Sequence, residues 1–485
     1  MKRSVASLAL VLSVLGAASF VACENSSGSS SGGVFDPDAS VFNGPETAPP
    51  PPGDASIDNF TPPSEAGQDA APADTATVVV TKDGAPDPGV SVVFQSSTGA
   101  ALATVVTGAD GKATNKVTAG DMVTVALGAV NNRQLLTYLG VKPGDVLPVV
   151  ERTNRLVSIT MATNNPGGGI TIAAGNIDCS TNAASSGSPV SVTLLPECIT
   201  GPVFPVIGNL RFNLNSYFSF KKDVTPAASG TTTVSGMTPW AIGTAYTMNV
   251  TNAPNLTGVQ ATLGQIANNQ SSFPTAPESN LVLEAGMGTA AFVVASGGYA
   301  DAYQGDVQFV NYPPGYQQVL SFSKRFGAGT TQTLDMTAGV LPALTGTAVD
   351  NTVPARPVFS WTAASTLDAT NGDSGVVTTV FTQPLAVTGT EQIEWTFIVP
   401  PGTLTVTAPE LPASLVAFTP SAASTVPKPA VAFFESDLVS GYDFVRAHAG
   451  QFGLTKVPIG IFSGAIIPGL PAVGTLRITA LAEGG

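Results

Sequence analysis

Of 485 residues one is histidine, three are cysteine, and only 11% are Asp, Glu, Lys or Arg. Each shortage removes a class of function. A lone His448 leaves no His-rich zinc set and no His-Glu-x-x-His motif, and the cysteines form no Cys-x-x-Cys. The basic residues are outnumbered, 19 against 33 acidic, so no basic patch is available to neutralise phosphates and nucleic-acid binding is excluded. A phosphate loop is missing as well, because Gly111-Lys112 is followed by Ala113 rather than Ser or Thr. No segment beyond the N-terminus is long and apolar enough to span a bilayer. Long amphipathic helical patterns are scarce, and no strict internal repeat is visible. No cofactor and no metal is expected.

Gly, Ala, Ser, Thr, Val and Pro fill the space left by charge. Thr and Val favour strands while Gly and Pro interrupt them, so the composition describes many short strands with many turns. The chain is too long for one hydrophobic core and predicts two to four domains.

The N-terminus reads as an export address. Met1-Lys2-Arg3-Ser4 is positive, Val5 to Leu15 is apolar, and small residues follow at Gly16, Ala17, Ala18 and Ser19 before Phe20-Val21-Ala22-Cys23. The apolar run is short for a membrane span and has signal-peptide layout. Residues 20–23 resemble a bacterial lipobox, with Phe20 in place of the usual Leu. The resemblance implies a signal peptide over 1–22 and lipidation of Cys23, which ties the protein to a membrane through two or three acyl chains. Each buried methylene contributes ~0.8 kcal/mol, and stable anchoring needs more than one chain. Cleavage after Ala18 is the alternative and leaves a secreted, unanchored protein. In the lipoprotein resemblance an Asp after the Cys retains the product at the inner membrane. Glu24 stands there instead and favours the outer membrane of a bacterial envelope.

Residues 23–72 follow as a low-complexity linker. It holds Ser26-Ser27-Gly28-Ser29-Ser30-Ser31-Gly32-Gly33, the run Pro49-Pro50-Pro51-Pro52, eight acidic residues and no Lys or Arg. Such a segment buries too little apolar surface to offset ordering entropy and is expected to be disordered, with a reach of roughly 35–42 Å.

A β-domain is expected over 73–152. Thr77 to Thr81, Val90 to Gln95, Ala103 to Thr107, Lys112 to Val117 and Met122 to Leu127 are strand-like, and Asp110-Gly111 predicts a hairpin between two of them. The stretches Asp83-Gly84-Ala85-Pro86-Asp87-Pro88-Gly89-Val90 and Thr107 to Thr114 resemble bacterial Ig-like and carboxypeptidase regulatory-like β-sandwich domains. That resemblance implies a spacer, adhesin module or ligand platform without peptidase activity. Tyr138 to Val149 closes this domain.

Residues 153–350 read as a β-rich region containing Cys179 and Cys198. With Cys23 lipidated these two remain as a pair in a disulfide-permissive compartment, and closing the loop stabilises by ~3 kcal/mol on the chain-entropy account. Two free thiols or half a metal site are the alternatives. Residues 351–485 are expected to form a C-terminal β-sandwich-like domain, opening with Val358-Phe359-Ser360-Trp361. Trp361 and Trp395 read as core residues in preference to sugar-stacking platforms. Leu281 to Leu283 reads as a strand, and Gln265–Gln270 and Tyr442–Ala449 as short helices. The fold class is thus all-β: tandem Ig-like or fibronectin-like sandwiches after a signal peptide and disordered linker.

Four local patterns suggest chemistry. Gly372-Asp373-Ser374-Gly375 resembles the nucleophile segment of chymotrypsin-like proteases, but the only His follows the Ser and Val376-Val377 replaces the Gly-Pro. Ser321-Phe322-Ser323-Lys324 has Ser-x-x-Lys spacing without its companion motifs. The loop Asp368 to Asp373 offers oxygen ligands of the kind Ca²⁺ takes, without helix-loop-helix spacing. His448 reads as structural. No catalytic residue is assigned. The expected function is a lipid-anchored envelope protein presenting β-sandwich modules for adhesion, assembly or binding of a polysaccharide or protein. A carbohydrate-active enzyme with a carboxylate pair, which leaves no local motif, is the first alternative and a plain surface spacer the second.

Overall fold

The computed structural model describes residues 74–483, apart from 83–84, 130–131, 152–156, 162–169, 175–179, 184–189, 195–202, 213–214, 226, 228–230, 269, 275–280, 385–388, 438 and 450–473. The described chain is all-β. Cys23, Cys179, Cys198 and the expected signal peptide and linker lie outside the described residues.

One strand order recurs. In residues 75–151 the first strand, Thr75–Lys82, pairs antiparallel with Lys112–Lys116 and parallel with Val146–Glu151. The opposing sheet runs Ala101–Val106, Ser91–Gln95, Asp121–Ala129, Asn132–Val141, all antiparallel. Residues 157–234 repeat this order. Val157–Met161 lies between Val190–Leu194 and a parallel Thr231–Val234, opposite Ser180–Ala183, Ile170–Ala174, Phe204–Phe212 and Asn215–Val224. Residues 244–335 do so again. Thr244–Thr251 lies between Gly288–Val294 and a parallel Thr331–Asp335, opposite Gln270–Pro274, Val259–Ala267, Ala302–Asn311 and Tyr316–Phe326. Seven strands thus form a sandwich in which the first is central to one sheet and the second and fifth are central to the other.

The fourth sandwich is threaded differently. Val358–Ala363 takes the central position beside Thr405–Thr407, and Thr390–Val399, Ser374–Pro384, Ala430–Ser436 and Gly474–Glu483 form the opposing sheet in the same order. The position filled elsewhere by a parallel last strand is filled by Leu344–Asp350, which precedes the central strand and pairs antiparallel. The sandwich expected from residue 351 therefore takes its first strand from 344–350.

The larger sheets of three sandwiches join into one of twelve strands. Tyr316–Phe326 pairs antiparallel with Gly474–Glu483, and Thr390–Val399 pairs parallel with Asn132–Val141. Pairing therefore crosses the sequence boundaries at 152 and 350. The joined strands bury both faces. Val376, Ile398, Ala432 and Phe434 enter the core beneath Ala76, Val78 and Val80. Their neighbours Val377, Phe397, Val431 and Phe433 enter the core beneath Phe359 and Trp361. Such strands read as continuous apolar runs, as in sheets covered on both sides. A third core lies between Tyr246, Met248, Phe292 and Phe309, Phe322.

A buried polar ladder crosses the parallel junction. The Trp395 indole N–H donates to Thr137 Oγ1 at 3.0 Å, and the Thr137 and Thr124 hydroxyls meet at 2.9 Å. Thr124 Oγ1 donates to Gln95 Oε1 at 3.3 Å, and Gln95 Nε2 donates to Glu410 O at 3.4 Å. Gln95, Thr124, Thr137 and Trp395 are all fully buried. Their satisfaction matters because a buried unpaired polar group costs about 1–3 kcal/mol.

Three expectations are corrected. Asp110-Gly111 is a turn, but it carries the chain from Ala101–Val106 in one sheet to Lys112–Lys116 in the other and makes no hairpin. The first strand captures it, since Val80 N–H donates to Gly111 O at 2.8 Å. Gln265–Gln270 is not helical. It ends Val259–Ala267, turns at Asn268 with φ 53°, and begins Gln270–Pro274. Asn tolerates that left-handed conformation, and Asn268 N–H is held by Asp301 Oδ2 at 2.9 Å. Leu281–Leu283 forms no strand, and the chain turns through positive φ at Ala285 and Gly286. Tyr442–Ala447 is helical, as expected. No helix among the described residues is long and apolar enough to cross a membrane.

Trp395→Phe and Thr137→Val each remove one rung of the ladder, and each should lower stability by about 1–3 kcal/mol. Because the two groups share one hydrogen bond, the double variant should lose less than the sum of the singles, measured by urea denaturation. Additive losses would show that the rung contributes nothing of its own.

Candidate functional site

Of the four patterns that suggest chemistry, two lie on strands, one is a loop and one ends a helix, and each serves the fold. Ser374 begins a strand and is fully buried. Its Oγ donates to Val399 O at 3.2 Å, so the hydroxyl faces a backbone carbonyl and no base. Gly375 is a packing glycine. A Cβ there would meet the Phe433 ring at 2.5 Å. Asp373 N–H donates to Phe434 O at 2.8 Å, and Asp373 Oδ2 accepts Ser436 N–H at 2.6 Å. The Gly-Asp-Ser-Gly segment is thus a latch between Ser374–Pro384 and Ala430–Ser436.

His448 sits just past the helix Tyr442–Ala447. Its ring stacks on Phe444 with centroids 4.1 Å apart, and Nδ1 lies 2.8 Å from Phe444 O. Its contacts are those of a helix end, and they do not include Ser374.

Ser321 and Ser323 lie on one face of Tyr316–Phe326, and each donates to Asp306 Oδ1, at 2.5 and 2.7 Å. Gln308 Nε2 donates to Asp306 Oδ2 at 2.6 Å. Lys324, three residues beyond Ser321, belongs to the other face because side chains alternate along a strand, and it lies over the Phe326 ring at 5.8 Å. The Ser-x-x-Lys spacing therefore brings no amine to the hydroxyl. Burial raises the Asp306 carboxyl above the usual range, against the lowering effect of its hydroxyl and amide donors.

In the loop from Asp368 to Asp373 the oxygens serve the loop itself. Asp368 Oδ1 accepts Thr370 N–H at 2.8 Å and Thr370 Oγ1 at 2.5 Å, and Asn371 Oδ1 accepts Asp368 N–H at 2.9 Å. These are the local bonds of an Asx turn. Among the described residues no three His, Cys, Asp or Glu side chains converge as metal ligands.

The buried acids have separate partners. Glu391 meets Arg133 and accepts Gln383 Nε2 at 3.2 Å, Glu394 accepts Thr378 Oγ1 at 3.4 Å, and Asp121 Oδ2 accepts Thr118 N–H at 2.7 Å. Trp395 stacks on Phe397 at 5.4 Å, and Trp361 packs against Phe433 at 6.0 Å, both in the core.

One buried charged contact has no signature in the sequence. Arg446 is buried and grips Asp145 with two bonds, Nε to Oδ2 at 2.9 Å and Nη2 to Oδ1 at 3.0 Å. Asp443 stands 3.2 Å from the same guanidinium and also meets Lys142 at 2.7 Å. This pair fastens the helix Tyr442–Ala447 to the turn before Val146–Glu151. Each half is visible in the sequence as a loop or short helix, and only the fold brings them together.

No protein-family model matches the chain, and no curated protein matches it. Among solved structures, the chain is slightly similar to the TIE protein of Bacillus anthracis, at 9% identity over 54% of this chain and 50% of that one, with a TM-score of 0.15. It therefore spans half the length of that protein. A DUF4785 family protein from Legionella pneumophila matches at 10% identity over 57% of this chain and 81% of its own, with a TM-score of 0.15. The C-terminal globular domain of an oligosaccharyltransferase from Pyrococcus abyssi matches at 9% identity over 62% and 52%, with a TM-score of 0.11. Likenesses this slight carry no argument about fold or activity.

Asp373 makes the latch sensitive to pH. Burial first, and the nearby Glu435 charge, push its carboxyl up to about 6, against the Ser436 N–H bond and Arg477. The folded chain thus holds this proton more tightly than the unfolded chain, whose Asp ionises near 3.9. The stability this group confers is complete below about pH 4 and is lost as pH rises through about 6. Asp373→Asn keeps an acceptor for Ser436 N–H without the charge. It should be more stable than the parent at pH 8, by up to about 3 kcal/mol, and should flatten the dependence between pH 4 and 6. Denaturant midpoints across that range check it, and an unchanged slope would contradict the assignment.

Proposed function

We propose that the chain is a lipid-anchored protein of the bacterial cell envelope whose β-sandwich modules serve adhesion, assembly or ligand binding, with no catalytic role. The anchor is Cys23, and Glu24 after it favours the outer membrane. The modules are read as relatives of bacterial Ig-like and carboxypeptidase regulatory-like domains, on the residues 83–90 and 107–114. Cys179 and Cys198 are read as a disulfide of the exported chain. The partner of such a platform is a polysaccharide or a protein.

The observation that carries the non-catalytic reading is the use to which the nucleophile-like residues are put. Ser374 donates to a strand carbonyl, Ser321 and Ser323 to a buried carboxylate, and His448 packs on Phe444. A general base must lie within hydrogen-bond reach of the group it activates, and Ser374 meets only backbone carbonyls. Ser321 and Ser323 do meet a carboxylate, but they and Asp306 are buried in the sheet, away from any substrate.

Two measurements test the reading. Cys23→Ala should move the protein from the detergent phase to the aqueous phase, and globomycin should accumulate the precursor of the parent chain alone. Unchanged partitioning would refute the anchor. Purified protein screened against polysaccharides and peptides should bind without turnover. Turnover abolished by a single Asp or Glu substitution would instead establish the carboxylate enzyme.

A further inference from the structure

The twelve-stranded sheet ends at Ala101–Val106, and among the described residues no strand pairs with its outer side. Edge strands of this length are normally blunted by Lys, Pro or an inward charge, because their unpaired N–H and C=O groups template further pairing. Ala101-Leu102-Ala103-Thr104-Val105-Val106 carries none of these. From Gly89 to Ala109 the chain has no charged residue, although its net charge is −14. Leu102 and Val106 are 57% and 54% exposed on this edge. The single protective device is a β-bulge between Phe94 and Gln95, whose partners Ala103 and Ala101 leave Leu102 as the extra residue.

The strand is held for presentation. Gly99 O accepts Glu410 N–H at 2.8 Å, and Thr98 O accepts Arg356 Nη2 at 2.8 Å, so the fourth sandwich fixes the hairpin behind it. Thr107 N–H donates inward to Val90 O at 2.9 Å. By alternation along an antiparallel pair, Thr104 and Val106 turn their N–H groups outward.

We propose that this edge pairs with the same edge of a second copy of the chain, antiparallel about a twofold axis through Thr104, so that the sheet continues from one molecule into the next. Two features of the strand and its sheet select a second copy. The same sheet already extends by edge-to-edge pairing of sandwiches of this type, at Tyr316–Phe326 with Gly474–Glu483 and at Thr390–Val399 with Asn132–Val141. The strand is also self-complementary. A twofold at Thr104 sets Leu102 of one copy against Val106 of the other, apolar on apolar, and brings no like charges together. A twofold pairing consumes both edges and closes at a dimer. The contact is small, so the association is weak and concentration-dependent. The proposal stands apart from the anchor and holds whether or not Cys23 is acylated.

The test uses the full-length chain carrying Cys23→Ala, so that lipid plays no part. Sedimentation equilibrium over roughly 1–500 µM, the range that suits a small interface, should show the mean mass rising towards twice the monomer. Amide exchange at Thr104 and Val106 should slow as concentration rises, while the inward amide of Thr107 stays protected throughout. Thr104→Lys places two cations face to face, and Thr104→Pro removes an outward donor while sparing the inward ladder. Both should remain monomeric with an unchanged circular dichroism spectrum. A parent chain that stays monomeric at the highest concentration overturns the proposal, as does a dimer that survives both substitutions. Growth beyond two copies also overturns it, because it would mean head-to-tail pairing with the opposite edge at Gln270–Pro274.

Discussion

The parallel pairing of Thr390–Val399 with Asn132–Val141 joins strands whose central residues, Trp395 and Thr137, are 258 positions apart. A strand used at such a junction cannot turn one face to water. It must offer apolar groups to a sandwich core on each side and still satisfy every polar group between them. Trp395 and Phe397 therefore face one core while Ile398 faces the other. The rungs from Trp395 through Thr137 and Thr124 to Gln95 supply the hydrogen bonds that water would supply elsewhere. Neither requirement is local. Residues in the first sandwich are buried by the fourth, so the sequence between 75 and 141 is constrained by residues near 395 and 433.

That constraint explains which parts of the fold were legible. Strand positions were readable because Val- and Thr-rich runs are bounded by Gly and Pro, and Thr75–Lys82, Ser91–Gln95 and Asp121–Ala129 fall where those runs fall. In Ser374–Pro384 and Thr390–Val399 both faces meet a core, and a period of two carries little information where side chains on both faces are inside. Sheet membership was not readable. Asp110-Gly111 is a true turn, yet whether it closes a hairpin or crosses between sheets depends on Val80, thirty residues upstream. Gln265–Gln270 failed because a helix and a tight hairpin share the same short polar composition, and the left-handed Asn268 decides between them. The repeat of strand order was invisible because order is a property of pairing, and Thr75–Lys82, Val157–Met161 and Thr244–Thr251 share no side-chain pattern beyond β-propensity.

The same physics accounts for the false signals of chemistry. In a chain with so few charges, each buried one needs a partner, and hydroxyl-rich strands supply it. Asp306 is held by Ser321, Ser323 and Gln308, and Arg446 by Asp145. A carboxylate beside a serine then recurs along strands for structural reasons, and a fragment such as Asp373-Ser374 arises without a site around it. What separates the two cases is the direction of the side chain, set by the pleat. Ser321 and Lys324 are close in sequence and lie on opposite faces.

The threading of the fourth sandwich follows from the cost of closing loops. In the other three, the strand beside the central one is parallel and returns only after the whole module has been traversed. In the fourth, Leu344–Asp350 fills that place from upstream and needs only the short connection to Val358. An antiparallel neighbour joined by a short loop closes at far lower entropic cost than a parallel one at the far end of a module. The segment that would otherwise be a linker after Thr331–Asp335 thereby becomes a strand. It packs Leu344 into the core with Phe359 and Trp361. The third and fourth sandwiches are joined by the pairing of Tyr316–Phe326 with Gly474–Glu483, and side chains of Tyr316–Phe326 also hold this strand: Gln318 Nε2 donates to Leu344 O at 2.7 Å and the Tyr316 hydroxyl to Thr347 O at 3.1 Å.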